Sequence, residues 1–148
     1  MPIDNAERER RRTLVRAHLA AENDHDLDRI MKTFSDRTEN VSNGRSFTDH
    51  ESIRWVHVYF GLSSAQGALA GLRIVVDREH FTDDEVVIES RVFGKHVGEF
   101  LGFPATGRDI ELPAVGFYRF DKEGKLTSER VVMNFGPLAG ELEGPRPA

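Results

Sequence analysis

The chain changes its hydrophobic period near the middle. Over residues 5–21 strong helix formers predominate, and Leu14, Ala17, His18 and Ala21 recur at helical spacing. Asn23-Asp24-His25-Asp26 breaks that pattern. Asp26 then stands as an N-cap for a second helix over residues 27–34, with Leu27, Ile30, Met31 and Phe34 on one face. Thr48 and Glu51 have the spacing of a capping box, and Ile53, Trp55, Val56, Tyr59 and Phe60 follow in a third helix. Between the second and third helices, residues 37–47 carry the turn pair Asn43-Gly44, which fits a short strand or hairpin.

Beyond residue 72 the chain reads as strands. Residues 72–81, 85–97, 109–121 and 125–135 are rich in Val, Ile, Phe and Tyr. Asp83-Asp84 and Lys122-Glu123-Gly124 are tight turns between consecutive strands, which predicts an antiparallel meander. A longer loop, residues 98–108, joins the middle two strands, and residues 137–142 fit one closing helical turn. Helices first and a sheet afterwards is an α+β pattern, with the helices covering one side of the sheet. One domain over residues 1–148 is expected, with frayed tails at about 1–5 and 144–148.

Composition narrows the function classes. Without cysteine there is no disulfide, thiolate metal site or cysteine nucleophile. Twenty basic against twenty-five acidic residues, a formal net charge of −5, argue against nucleic acid or an anionic membrane as partner. Arg8, Arg10, Arg11 and Arg12, interleaved with Glu7 and Glu9, read as the solvated side of a helix. No apolar run has the length of a signal peptide or a bilayer span, so a cytoplasmic protein is expected. His18, His25, His50 and His80 show no H-E-x-x-H or similar ligand spacing, so no metal site is expected.

Three stretches carry a family resemblance. His18 through Asp28 looks like the helix-loop-helix opening of SnoaL-like proteins, where N-x-H-D-L-D is frequent. Gly94-Lys95-His96-Val97-Gly98-Glu99 through Thr106-Gly107-Arg108 resembles the segment G-T-H-x-G-E-x-x-G-x-P-x-T-G-R/K of that family. Phe117-Tyr118-Arg119-Phe120 and Lys125-Leu126 through Glu129 resemble its F-R-F-x-x-G-K-I-x-E hairpin. The resemblance implies the nuclear-transport-factor-2-like cone: three N-terminal helices packed on a curved, mostly antiparallel sheet around a deep pocket. It also implies a polyketide cyclase, ester cyclase, isomerase or hydrolase that acts without cofactor on a small apolar molecule and forms a homodimer. The family cyclases are described as using an aspartate late in the last strand, helped by a histidine. Here Asn134 stands at that aspartate's place, and an amide takes no proton at neutral pH.

Candidate residues follow from both readings. His96, between Gly94 and Gly98, is read as a proton shuttle or as the residue that orders the 98–108 loop. Strand alternation puts Arg130, Val132 and Asn134 on one face, which the resemblance makes the pocket face. There Arg130 is expected to hold an oxyanion, or to pair with Glu89 or Glu129, and Asn134 to orient a carbonyl or water. Trp55 and Tyr59, four apart on the third helix, are expected in the pocket wall, with Glu89, Phe117 and Val132 as further substrate contacts. His57 is expected at the surface or an interface. The alternative to an enzyme is a non-catalytic binding protein that kept the cone and lost the base.

Overall fold

A computed structural model describes residues 2–139, so the tail expected at 144–148 lies outside the described residues. Helix α1, Asn5–Asn23, opens where Asp4 accepts the Glu7 N–H at 2.8 Å, an N-cap. Its arginines hold it to the sheet. Arg10 donates to the Asp121 carbonyl at 2.7 Å and Arg12 to Glu79 at 2.9 Å. Helix α2, Leu27–Met31, is capped by Asp26 as expected but ends three residues early. Phe34 instead opens strand β1, Phe34–Ser42, and the Thr33 carbonyl accepts the Leu126 N–H at 2.8 Å. Phe34 is buried in either conformation, so its apolar spacing could not separate helix from strand.

Strand β2, Arg45–Phe47, pairs back on β1 across Asn43 and Gly44, whose φ values of 45° and 86° suit a two-residue turn. Helix α3, His50–Phe60, is capped by Asp49 rather than Thr48, since Asp49 accepts the Ser52 N–H at 2.8 Å. It ends at Gly61 with φ 113°. A Cβ there would meet the Leu69 carbonyl oxygen at 2.1 Å, so only glycine fits.

Strands β3 (Leu69–Phe81), β4 (Val86–His96), β5 (Asp109–Phe120) and β6 (Leu126–Met133) form the expected antiparallel meander, and β1 joins β6 in parallel. The six-stranded order is β2-β1-β6-β5-β4-β3, and α4 (Gly136–Ala139) follows the last strand. The α+β expectation holds. The helices cover one face, where Val15, Ile30 and Ile53 meet Val86, Ile88 and Leu112 from the sheet, all nearly inaccessible to solvent. Burying each such side chain stabilises the fold by roughly 1.5–3 kcal/mol.

The phase of β6 decides what this inner face presents. Phe120 pairs with Leu126 but Arg119 with Ser128, so Thr127 is an extra residue, a β-bulge. Leu126 and Glu129, three apart, are therefore both buried. Unbroken alternation from Leu126 would send residues 128, 130 and 132 inward; the bulge sends Glu129 and Val131 inward instead. The expected pocket face of β6 is thus corrected. Val132 is 58% exposed. Arg130 points away from the core, donating to Glu85 at 2.9 Å and lying 4.8 Å from the Phe117 ring centroid. Asn134 lies past the strand end, its Oδ1 accepting the Gly136 N–H at 2.9 Å.

Candidate functional site

The inner face and α3 enclose a cavity of about 500 Å³. Its wall is mostly apolar: Phe47, Trp55, Val56, Tyr59, Phe60, Leu101, Val131, Met133 and Phe135. At the mouth Trp55 and Tyr59 stack with ring centroids 5.2 Å apart, and Arg45 lies 5.1 Å from the Phe47 ring centroid. Tyr59 also ties down the 98–108 loop, its hydroxyl accepting the Leu101 N–H at 2.7 Å and donating to Glu99 at 3.3 Å.

A narrow inner chamber of about 50 Å³ shares Ser42, Val56, Phe60, Val131 and Met133 with the outer one. Its end is polar, formed by Glu22, Asn40, His57, Tyr118 and Glu129. A space of that size takes one or two waters, or the single polar group of a ligand seated in the outer chamber.

Local structure delivers each of these side chains. His18 and Glu22 sit one helical turn apart on the buried stripe of α1, with Val15 and Leu19. His57 lies on the buried stripe of α3, with Ile53, Val56 and Phe60, and is 2% exposed, so its expected surface position is corrected. Glu129 comes from β6 through the Thr127 bulge and accepts the Asn40 amide N–H at 2.9 Å. The ring nitrogens are fixed from behind. His57 Nδ1 donates to the Ile53 carbonyl at 2.7 Å. The Thr33 hydroxyl spends its proton on the Ile30 carbonyl at 2.6 Å and so accepts from His18 Nδ1 at 2.8 Å. Both Nε2 atoms therefore face the two carboxylates. His18 Nε2 stands 3.5 Å from Glu22 and 3.5 Å from Glu129, and His57 Nε2 stands 3.6 Å and 3.9 Å from the same pair.

Burial and charge compete in this cluster, and charge wins. Burial alone lowers the pKa of His18, but Glu22 and Glu129 outweigh it and raise it to about 10. Burial would likewise raise the Glu22 carboxyl, yet His18 and His57 hold it below the ordinary carboxylate range. His57 is raised by the same two carboxylates against its own burial. Burial, then Glu129 and Glu22, push the Tyr118 phenol well above its usual value, so it stays a hydrogen-bond donor.

The chain matches the model of the SnoaL-like domain over residues 15–129. It belongs to the SnoaL-like family. Among solved structures this SnoaL-like chain is similar to AclR of Streptomyces galilaeus, named as a candidate hydroxylase. They share 26% identity at a TM-score of 0.70, over 86% of this chain and 91% of that one. A candidate SnoaL-like polyketide cyclase from Jannaschia sp. CCS1 matches at 18% identity and a TM-score of 0.74, covering 90% and 94% of the two chains. SalBIII, an epoxide hydrolase/cyclase-like enzyme with a role in pyran ring formation in the polyether salinomycin, matches at 15% identity and a TM-score of 0.73, covering 88% and 95%. No curated protein sequence matches. The fold of the SnoaL-like chain is the cone its sequence suggested.

Of the residues expected in the site, Trp55 and Tyr59 line the outer chamber. Glu89, Val132 and Asn134 border a groove on the opposite face of the sheet, where His80 Nε2 lies 2.5 Å from Glu89. Phe117 lies on that face too, beneath Arg130. His96 is fully buried but lines neither chamber; its Nδ1 contacts the Thr106 hydroxyl at 3.1 Å, within the 98–108 loop. His18, Glu22, Asn40, His57, Tyr118 and Glu129 are the residues that sequence reasoning did not select. The usable signal was the pair His18 and Glu22, a histidine and a carboxylate at i,i+4 on an otherwise apolar stripe.

Proposed function

We propose that this SnoaL-like chain is an enzyme that moves a proton on a small, largely apolar, polyketide-like molecule bearing a carbonyl, ester or epoxide oxygen. One observation carries the reading. Glu22, His57 and Glu129 stand at the inner end of an apolar chamber, where titratable groups are costly to keep and a purely structural network needs no cavity. The ligand's apolar body fits the outer chamber, and its oxygen reaches the inner one, within range of the Tyr118 hydroxyl. Glu129 takes the proton while an imidazole N–H and the phenol stabilise the charge left on oxygen. The names of AclR and SalBIII, a candidate hydroxylase and an epoxide hydrolase/cyclase-like enzyme, support chemistry of this class.

A second reading, a binding protein without turnover, is favoured by Asn134, an amide where the family resemblance places an acid/base carboxylate. Deuterium exchange next to the carbonyl of an aromatic ketone separates the two. Wild-type protein is expected to accelerate the exchange, and Glu129→Gln to reduce it by about a hundredfold or more while the ketone still binds. Binding of the ketone without any exchange in wild type would leave only the second reading.

A further inference from the structure

The four N···O separations in the cluster, 3.5, 3.5, 3.6 and 3.9 Å, are too long for good hydrogen bonds. Among the described residues His18 Nε2 is accordingly without a hydrogen-bond partner, although His18 is wholly inaccessible to solvent. One ligand atom from each of His18, Glu22, His57 and Glu129 lies within 4.8 Å of all the others. A tetrahedral ion with bonds of about 2.1 Å to nitrogen and oxygen separates its ligand atoms by about 3.4 Å. Three of the His–Glu separations, 3.5, 3.5 and 3.6 Å, have that spacing to within about 0.2 Å.

We propose that His18, Glu22, His57 and Glu129 form a binding site for one divalent transition-metal ion, with Zn²⁺ the best match to a two-nitrogen, two-carboxylate set. Three independent features point there. First, both imidazoles give Nδ1–H to a fixed acceptor, the Thr33 hydroxyl and the Ile53 carbonyl, which turns the Nε2 lone pair of each neutral ring toward the centre. Second, Asn40 holds Glu129 from behind at 2.9 Å, so one carboxylate ligand has the outer hydrogen bond that metal sites use to orient their ligands. Third, once both imidazoles give up their Nε2 protons to serve as ligands, the two buried carboxylates carry a charge of −2, which a single divalent ion cancels while satisfying the atom left unpartnered at His18. Protons on the imidazoles cancel the same charge, but at these separations they leave no hydrogen bond between the rings and the carboxylates. Metal binding displaces those protons. Glu22, His57 and Glu129 border the inner chamber, which shares five lining residues with the outer one, so an ion has a path to the cluster through it.

This inference goes beyond the catalytic reading and stands without it: the imidazole N–H and the free carboxylate of that reading belong to the metal-free chain, since a bound ion takes both Nε2 lone pairs. The test uses the tag-free full chain, stripped with a chelator and then titrated with Zn²⁺ and with Co²⁺. Expected are one ion per chain, a higher melting temperature, and visible Co²⁺ absorption of four-coordinate strength that Zn²⁺ abolishes. Glu22→Gln and Glu129→Gln, which keep side-chain shape, are each expected to weaken binding by at least about a hundredfold. His80→Gln, at the exposed His80–Glu89 pair, is expected to leave binding unchanged and controls for surface sites. The inference is overturned if the stripped chain takes up no ion, or if binding is indifferent to both glutamine variants. Ketone exchange that persists in the metal-free chain, with no ion bound on titration, would sink the metal site and keep the proton-transfer reading; stoichiometric binding with no exchange would do the reverse.

Discussion

Two clusters of the same residue types lie on opposite faces of one sheet. Inside, His18 and Glu22 are 0% and 4% exposed at their side chains and stand 3.5 Å apart. Outside, His80 and Glu89 are 51% and 44% exposed and stand only 2.5 Å apart. If separation ruled, the outer pair would be the stronger. Surroundings rule instead: water screens the outer pair, while the inner charges have only one another and the few polar groups turned toward them. The comparison teaches that a histidine beside a carboxylate marks a site only where a cavity meets it and solvent does not.

The largest expected effect breaks that comparison directly. Glu22→Ala leaves two buried imidazoles short of a counter-charge and is expected to cost about 3–5 kcal/mol. Glu89→Ala is expected to change stability by about 1 kcal/mol or less, as exposed pairs do. Urea denaturation of both variants beside wild type measures the difference. Equal costs would mean that the inner cluster is no more than a displaced surface pair.

The fold was legible because the chain states its periods strongly. Three helical stripes, the Asn43-Gly44 turn and four strand runs all appear near their expected places. The parallel pairing of β1 with β6 was not readable, since nothing local announces a contact between residues some ninety positions apart, as in Asn40 with Glu129. The site was half legible. Trp55 and Tyr59 follow from helical spacing, but Glu129 depends on one unpaired residue, Thr127, whose neighbours give no sign of a bulge. One residue of slip reverses every side chain after it, and so Arg130 and Val132 were placed inside and Glu129 was left as a partner for Arg130. His57 was missed for a related reason. α3 has two useful stripes, Trp55 with Tyr59 at the mouth and Ile53, His57 and Phe60 in the core, and only the first looked like a pocket wall.

An intermediate effect sharpens the picture of the inner chamber. Gly116 lets the Tyr118 ring lie back along the sheet, since a Cβ at Gly116 would stand 2.6 Å from the phenol oxygen and ring. Tyr118 is 4% exposed, so the ring has little room to yield. Gly116→Ala is expected to cost about 1–3 kcal/mol, the range of overpacked cores, and to weaken binding of an aromatic ketone as the ring is driven into the chamber. A variant as stable as wild type, with unchanged ketone affinity, would show that the phenol does not border the ligand.

The smallest expected effect is at Asn134, where the family resemblance and the geometry point in opposite directions. By resemblance this position holds the acid/base carboxylate, so Asn134→Asp should restore proton abstraction. By geometry the side chain borders the outer groove with Glu89 and Val132, and its Oδ1 accepts the Gly136 N–H at 2.9 Å. A carboxylate accepts that same bond, and a substitution at such a position usually moves stability by no more than about 0.5 kcal/mol. The expected outcome is therefore near-neutral stability and unchanged ketone exchange, read by thermal melting and by deuterium incorporation. A base in reach of the substrate typically contributes about a hundredfold to ten-thousandfold. A gain of that size in Asn134→Asp would place the reacting carbon within reach of residue 134. Glu129 would then lose its claim to the proton, and the inner cluster would become a structural network beside the site.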